Sequence, residues 1–218
     1  MKRTLIFITL SLFVFNLSAQ EIKTIKLNEH SKVRGSNVME AFQNRQSFRA
    51  FETTDLSLQD LSDLLWAANG INRPESGKKT APSAMNAQDV DIYVCQSDGA
   101  YLYDAVANNL KQVNTEDIRP FTEGSRPSTG APIILLIVTD ISRYRGYNAE
   151  NKEANKHLNE MGTLDAGIVS QNIGIFCAGV GLGTVPRANM NQDGIRKALN
   201  LKESQTAWLN HPVGFPKK

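Results

Sequence analysis

Within Asn44-Arg45-Gln46-Ser47-Phe48-Arg49-Ala50-Phe51, two guanidinium groups and one hydroxyl fall inside five residues. In an extended chain alternate residues project to the same side, so Arg45, Ser47 and Arg49 would share one polar face. Guanidinium forks match phosphate and carboxylate oxygens two at a time, so that face could clamp an anion. Spacing alone does not separate this from an ordinary solvated surface. A second segment, Thr80-Ala81-Pro82-Ser83-Ala84-Met85-Asn86-Ala87-Gln88, places a proline, a hydroxyl and two amides on a turn entering a strand. Side-chain amides offer donors and acceptors together, which suits the edge of a heterocycle.

Other motifs fail on their own terms. Gly77-Lys78-Lys79-Thr80 ends like a phosphate-binding loop, but Asn72 stands where that loop needs its first glycine, and no strand precedes it. Gly179-Val180-Gly181-Leu182-Gly183 follows a helix-like run rather than a strand, so it reads as a helix stop and not as a dinucleotide fingerprint. There is no GxSxG, and Ser83 or Ser170 with His157 or His211 is a hydrolase only at the level of composition. His30, His157 and His211 are dispersed and no CxxC occurs, so no zinc-ligand spacing is present.

The elements that must position these residues are legible in part. Ser36 is read as the cap of a helix running to Gln43, with Val38, Ala41 and Phe42 inward. Ser57 with Asp60 three residues on forms a short capping box, flanked by Leu56 and Leu61 as a hydrophobic staple. Leu58, Leu61, Leu64, Leu65 and Ala68 then keep helical periodicity until Gly70 stops the helix. Residues from Ile71 to Ala81 read as loop. Asp91 to Cys95 and Ala100 to Tyr103, around Ser97-Asp98-Gly99, read as a hairpin. Asp104 to Val113 reads as helix. Pro132 to Val138 is a continuous apolar run, the pattern of a central strand buried on both faces. Asp140 to Asn159 is polar and helical in its second half. Leu164 to Gly181 is a long apolar helix studded with Ala166, Gly167, Ser170, Gly174 and Ala178, suited to close packing in the core or at a subunit interface. A short helix (Asp193 to Leu199) and a last strand (Gln205 to Val213) complete one α+β domain over 36–218, preceded by a polar extended arm over 20–35.

The chain has 218 residues, is 41% hydrophobic and 21% charged, which fits one folded domain with a core. Lys2-Arg3, the apolar run Leu5 to Val14 and the small residues Asn16-Leu17-Ser18-Ala19 read as a secretory signal over 1–19, cleaved near Ala19, which implies a periplasmic protein. The run is short for a bilayer span, so no membrane span is expected in the mature form. Lys2 and Arg3 are the signal's only charges, so its removal takes the formal balance from +2 to 0. A neutral chain offers no electrostatic reason to bind nucleic acid or an anionic membrane. Export would permit a Cys95–Cys177 disulfide. Because Cys95 lies in a strand-like run and Cys177 in an apolar helix, two buried thiols are expected instead.

Taken together, four blocks in order resemble the FMN-dependent nitroreductase family over Ser36 to Pro216. Arg45-Gln46-Ser47-Phe48-Arg49-Ala50-Phe51 is similar to the family's R-[RH]-S-x-R-x-F opening, with Gln46 in place of the usual basic residue. Leu64-Leu65-Trp66-Ala67-Ala68-Asn69-Gly70-Ile71-Asn72 resembles its W-A-x-x-G helix end. Pro82-Ser83-Ala84-Met85-Asn86-Ala87-Gln88 matches P-S-x-x-N-x-Q, and Asp165-Ala166-Gly167 with Gln171-Asn172 matches a helix opening D-x-G and carrying Q-N. Pro212-Val213-Gly214-Phe215-Pro216 is similar to the strand end V-G-[YF]-P. Two departures stand out: Asp89-Val90 replaces a frequent Pro-Trp, and Lys217-Lys218 replaces a basic K-x-R tail.

The resemblance implies an α+β fold with a central, mostly antiparallel sheet flanked by helices, in a homodimer with two FMN sites at its interface. It implies that Arg45 and Ser47 hold the phosphate and ribityl chain, that Gln46 contacts flavin or ribityl, and that Arg49 lies near N1 and O2 of the ring. Reduced flavin is negative near N1, so a fixed cation there would tune its potential. Asn86 would bond the pyrimidine edge, from the same or the partner subunit, with Pro82 and Ser83 shaping its loop. The loop before and into Asp165-Ala166-Gly167 would pass near N5, and Arg187 is a further candidate for phosphate or ring contact. No residue is expected to act as a general acid, because the cofactor carries the chemistry. The implied activity passes a hydride from NAD(P)H through flavin N5 to a nitroaromatic or quinone. Its rivals are a non-catalytic flavin-binding electron carrier, and a relative that acts on a specific metabolite or on flavin itself.

Overall fold

The computed structural model describes residues 22–217; the secretory signal expected over 1–19, like Lys218, lies outside the described residues. Elements follow in the order β1 (Thr24–Lys26), α1 (Val38–Asn44), α2 (Leu58–Asn69), β2 (Ile71–Arg73), β3 (Lys78–Lys79), β4 (Val90–Gln96), β5 (Gly99–Asp104), β6 (Asn109–Asn114), α3 (Arg119–Glu123), β7 (Ile133–Asp140), α4 (Lys156–Val180), β8 (Gly183–Thr184), α5 (Gln192–Ala198) and β9 (Gln205–Gly214). Seven strands form one sheet in the order β1-β6-β5-β4-β7-β9-β8, every neighbour antiparallel. β2 and β3 make a separate small hairpin.

Side-chain alternation on β4 and β7 divides the core in two. Val90, Ile92 and Val94 with Ile133, Leu135 and Ile137 face α2 and α4. Tyr93 and Cys95 with Ile134, Leu136 and Val138 face Ile118, Ile195 and Leu199 on the other side. All eight residues of β7 are buried, as its uninterrupted apolar run requires of a strand covered on both faces. The same alternation puts the two thiols in different layers: Cys95 in one cluster, Cys177 in the other, both buried and free.

Helix α2 begins as its sequence dictates. Ser57 Oγ accepts from Asp60 N at 3.0 Å, and the Asp60 carboxylate accepts from Ser57 N at 3.0 Å. Leu61, Leu64, Leu65 and Ala68 then form its buried stripe. Its end differs from expectation. Gly70 is extended (φ −79°), not left-handed, and is required because a Cβ there would stand 2.5 Å from the Trp66 ring. Helix α1 is capped by Asn37, whose side chain accepts from Glu40 N at 3.0 Å, rather than by Ser36, whose N–H donates to Gly179 O.

The helix expected over Asp104 to Val113 is instead a turn followed by strand β6. Asp104 Oδ1 accepts from the N–H groups of Val106 and Ala107 at 3.0 and 2.9 Å, and Asn108 adopts φ 47°, so local side-chain bonding reverses the chain. Residues 71–81, read as loop, contain the β2–β3 hairpin. The arm is extended and joins the fold directly: β1 pairs with β6 at the sheet edge, and Arg34 bonds both Asp60 and Asp63 of α2.

Candidate functional site

The segment that follows α1 is extended, and backbone hydrogen bonds fix it. Arg45 leaves the helix at φ −63°, ψ 117°. Ser47 bridges Thr184 of β8, and Phe48 N donates to Thr184 O at 3.1 Å. Phe51 N donates to Thr129 O, Glu52 N to Phe215 O, and Lys217 N to Ala50 O. Phe51 is buried, whereas Arg45, Gln46, Ser47 and Arg49 are exposed. Gln46 and Phe48 line a cavity of about 430 Å³ together with Ala178, Gly181, Leu182 and Pro216. Alternation in the extended chain sends Arg45, Ser47 and Arg49 to the opposite side. Among the described residues, neither arginine side chain has a hydrogen-bond or ion-pair partner within the chain. Both guanidinium groups are thus exposed on an extended segment, as an anion clamp requires.

The Pro82–Gln88 turn is built differently. Pro82 and Asn86 are exposed and Ser83 is half-buried. Met85, Asn86 and Gln88 all have left-handed backbones (φ 52°, 53° and 49°), a run of strained conformations for residues other than glycine. Side-chain hydrogen bonds hold them there. Ala84 N donates to both carboxylate oxygens of Asp165, at 3.1 and 2.9 Å. Ser83 Oγ accepts from Gln88 N at 2.8 Å, Gln88 Nε2 donates to Gly77 O, and Arg143 Nη1 donates to Gln88 O. Asp165 also accepts from Tyr144 Oη at 2.7 Å.

Asp165 and Gly167 lie inside a helix, not on a loop. α4 starts at Lys156, because Leu158 and the side-chain-free Gly162 extend its inward face through the polar stretch before Asp165. Asp165 is buried and its acceptors are taken by the turn and by Tyr144, so its role is to anchor the turn. Gly167 is on the open face of α4, with nothing within 4 Å of where a Cβ would sit. Leu164, 70% exposed, and Ile168 share that face, and Val38, Met39 and Phe42 of α1 are likewise exposed. The small-residue helix thus has one face in the core and another uncovered.

Arg187 is held differently. It is 7% exposed, with Nη2 donating to Glu123 O at 2.9 Å and Nη1 at 3.6 Å from Glu123 Oε1. Burial lowers its proton affinity and Glu123 offsets that. Its guanidinium is thus buried and engaged within the chain, unlike the exposed Arg45 and Arg49, and Glu123 in turn accepts from the N–H of Thr129, whose carbonyl receives Phe51 N.

Two buried groupings are not assigned a place in the site from sequence. His211 is fully buried, with Nε2 at 2.8 Å from Ser170 Oγ and Nδ1 at 3.1 Å from Thr184 Oγ1. Burial pulls its pKa down to about 3. A hydroxyl occupies the position where a hydrolase would need a carboxylate, and no surface reaches the pair, so this chain of bonds ties α4 and β9 to β8 without reactivity. The second grouping is Asp89, fully buried beside Asp165. Its pKa is pushed up to about 7, first by burial and then by the Asp165 charge. Only its departure from a common Pro-Trp marked it.

The two candidate segments contact α4 near opposite ends. The arginine segment meets it at Ala178, through the shared cavity, and the turn meets it at Asp165. At 1.5 Å per residue these points are roughly 20 Å apart along the helix axis. One chain therefore carries a basic segment and an amide-bearing turn at separate places along α4.

Comparison with known proteins agrees with this architecture. The sequence profile described as "Nitroreductase family" matches residues 42–215. A protein of Methanocaldococcus jannaschii assigned by name to the nitroreductases is 28% identical over 185 residues, covering 78% of this chain and 86% of its own. A crystal structure of a Ralstonia eutropha protein, also assigned by name to the nitroreductases, is 30% identical with a TM-score of 0.81, covering 89% of this chain and 90% of that one. A Clostridium acetobutylicum structure named as an NADH oxidase shares the fold at 19% identity and a TM-score of 0.57, covering 84% and 89%. The matched profile spans both segments and the helix between them, and the chain belongs to the nitroreductase family of oxidoreductases.

Proposed function

We propose that the chain is an FMN-dependent oxidoreductase that works as a homodimer, each FMN lying between the basic half-site of one copy and the amide-bearing turn of the other. The observation that carries this reading is the pair of unpartnered guanidinium groups on a backbone-fixed segment. An isologous dimer with a two-fold axis makes two identical composite sites from the two half-sites each chain offers. The uncovered faces of α1 and α4, rich in Leu164, Ile168, Met39 and Phe42, suit the apolar centre of such an interface.

These residues fit the cofactor chemically. Arg45 and Ser47 would hold the phosphate and ribityl chain through charge-assisted bonds. Arg49 would place a fixed positive charge where the reduced ring is negative. Asn86, exposed and able to donate and accept, would read the pyrimidine edge. Bound there, FMN would supply the redox step, taking a hydride at N5 from a donor such as NAD(P)H and yielding it to a nitroaromatic or quinone. The chain's own work is to bind, orient and charge-stabilise. Export, proposed from the basic and apolar composition of residues 1–19, would oblige the enzyme to acquire FMN and reductant outside the cytoplasm.

The test is direct. Purified protein incubated with FMN and desalted is expected to retain flavin absorbance, and to oxidise NADPH or NADH faster when nitrofurazone or menadione is added. A protein that stays colourless contradicts the flavin assignment. One that is yellow but turns over neither donor with either acceptor is a carrier or acts on another substrate.

A further inference from the structure

Asp89 is an anomaly that the flavin-binding groups do not use. It is fully buried just before β4; neither carboxylate oxygen makes a hydrogen bond of good geometry, although the Tyr144 hydroxyl and the Asp165 carboxyl stand beside it. Water is kept away because α4 passes over it at Gly162. A Cβ at that glycine would lie 3.2 Å from Asp89 Oδ2 and 3.2 Å from Thr139 Oγ1. Thr139 Oγ1 accepts from Trp208 Nε1 at 2.8 Å and makes no bond to Asp89. An ionised carboxylate desolvated without a single donor is among the most unfavourable groups a core can contain.

Its neighbours show how the difficulty is resolved. From α4 comes Asp165, whose carboxylate receives Ala84 N and Tyr144 Oη, so Asp165 has the donors that an ionised group needs. From the segment after β7 come Tyr144 and Arg143, and from β3 comes Lys79, the last two close enough to feel the Asp89 charge. Neither cation bonds Asp89: Arg143 is spent on Asp91 and on the Gln88 carbonyl, and Lys79 has no bond to it. Two carboxyl groups side by side, one taking both the Ala84 N–H and the Tyr144 hydroxyl and the other with no well-formed bond, settle into one ionised and one neutral member.

We propose that Asp89 is the protonated member of this pair and a positioning residue for the cofactor turn. By donating to Asp165 it keeps that carboxylate aimed at Ala84 N and so holds the left-handed Met85–Gln88 run in place. The proton is shared, not consumed, and no bond to substrate is involved. When Asp89 loses it, two adjacent buried charges repel, and the Ala84 anchor is the contact exposed to that repulsion. The geometry stands without a cofactor, but the effect on binding rests on the flavin reading above.

FMN affinity measured against pH for wild type and Asp89→Asn tests this. An asparagine at that position donates to Asp165 at every pH. Wild type is expected to bind FMN at least about tenfold more weakly at pH 9 than at pH 6, one pK unit of coupling corresponding to roughly tenfold, whereas Asp89→Asn stays nearly level. Parallel curves for the two proteins would overturn the inference and leave the flavin assignment intact. If neither protein binds FMN at any pH, the flavin assignment falls, and the proton is then read directly. In carboxyl ¹³C NMR of the apoprotein, one aspartate is expected to titrate near pH 7 and to be absent from Asp89→Asn. A spectrum in which every aspartate titrates below pH 5 would overturn the shared proton itself.

Discussion

The Arg45–Phe51 segment and the Ser83–Gln88 turn are both short and irregular and both rest against α4, yet they are held in opposite ways. Backbone bonds to Thr184, Thr129 and Phe215 fix the first, leaving its arginines to the outside. Side chains fix the second: buried Asp165 on Ala84, half-buried Ser83 on Gln88, and Arg143 on the Gln88 carbonyl. A segment shaped by its backbone can lose a side chain and keep its form, so its side chains are free to serve a ligand. A turn shaped by side chains ties its form to their chemistry, and changes there alter folding and binding together.

The largest expected effect is therefore on the turn. Asp165→Ala strands the Ala84 N–H and the Tyr144 hydroxyl, and each orphaned buried donor costs about 1–3 kcal/mol. Unfolding in urea should show a loss of about 3–5 kcal/mol, and FMN content should fall with it. Next comes pH. The folded pKa of Asp89 lies above that of an unfolded aspartate, so between about pH 4 and 7 the folded apoprotein binds the extra proton. Stability should fall as pH rises through that window and level off above it, by on the order of 4 kcal/mol; Asp89→Asn should remove that slope in thermal melts.

Arg49→Ala should do the reverse of Asp165→Ala. An exposed arginine contributes within about 0.5 kcal/mol to folding, but loss of a charge-assisted bond should weaken FMN binding by roughly ten- to a hundredfold. If equilibrium dialysis shows full affinity, Arg49 is surface and no more. Equal losses of stability in Arg49→Ala and Asp165→Ala would erase the contrast between the regions. The smallest effect is expected for Thr184→Val, which removes the hydroxyl at His211 Nδ1 and keeps the carbonyl that receives Phe48 N. It should lower stability by about 1 kcal/mol and leave FMN affinity unchanged.

Local rules made some of this readable from sequence. The capping box at Ser57, the apolar run of β7 and the core face of α4 are written in neighbouring residues, and the arginine segment needed only an extended backbone. Side chains that bond their own backbone were harder: Asp104 and Asn108 turned an expected helix into a hairpin, and Asn37 took the cap assigned to Ser36. The tertiary contacts left no local trace. Asp165 meets Ala84 and Tyr144 across 81 and 21 residues, and Asp89 is odd only because of what packs around it. Arg187 has the composition of a ligand group and the burial of a structural one.

The central claim is that each flavin site is assembled from two chains. Arg45→Ala/Arg49→Ala and Asp165→Ala each break one half-site, so either homodimer should be colourless after incubation with FMN and desalting. Unfolded together and refolded at equal amounts, half the dimers would be mixed, and each mixed dimer has one intact site, so FMN should return at roughly a quarter of the wild-type level. No recovery in a mixture shown to contain mixed dimers, or a single variant that stays fully yellow, would contradict a site shared between chains.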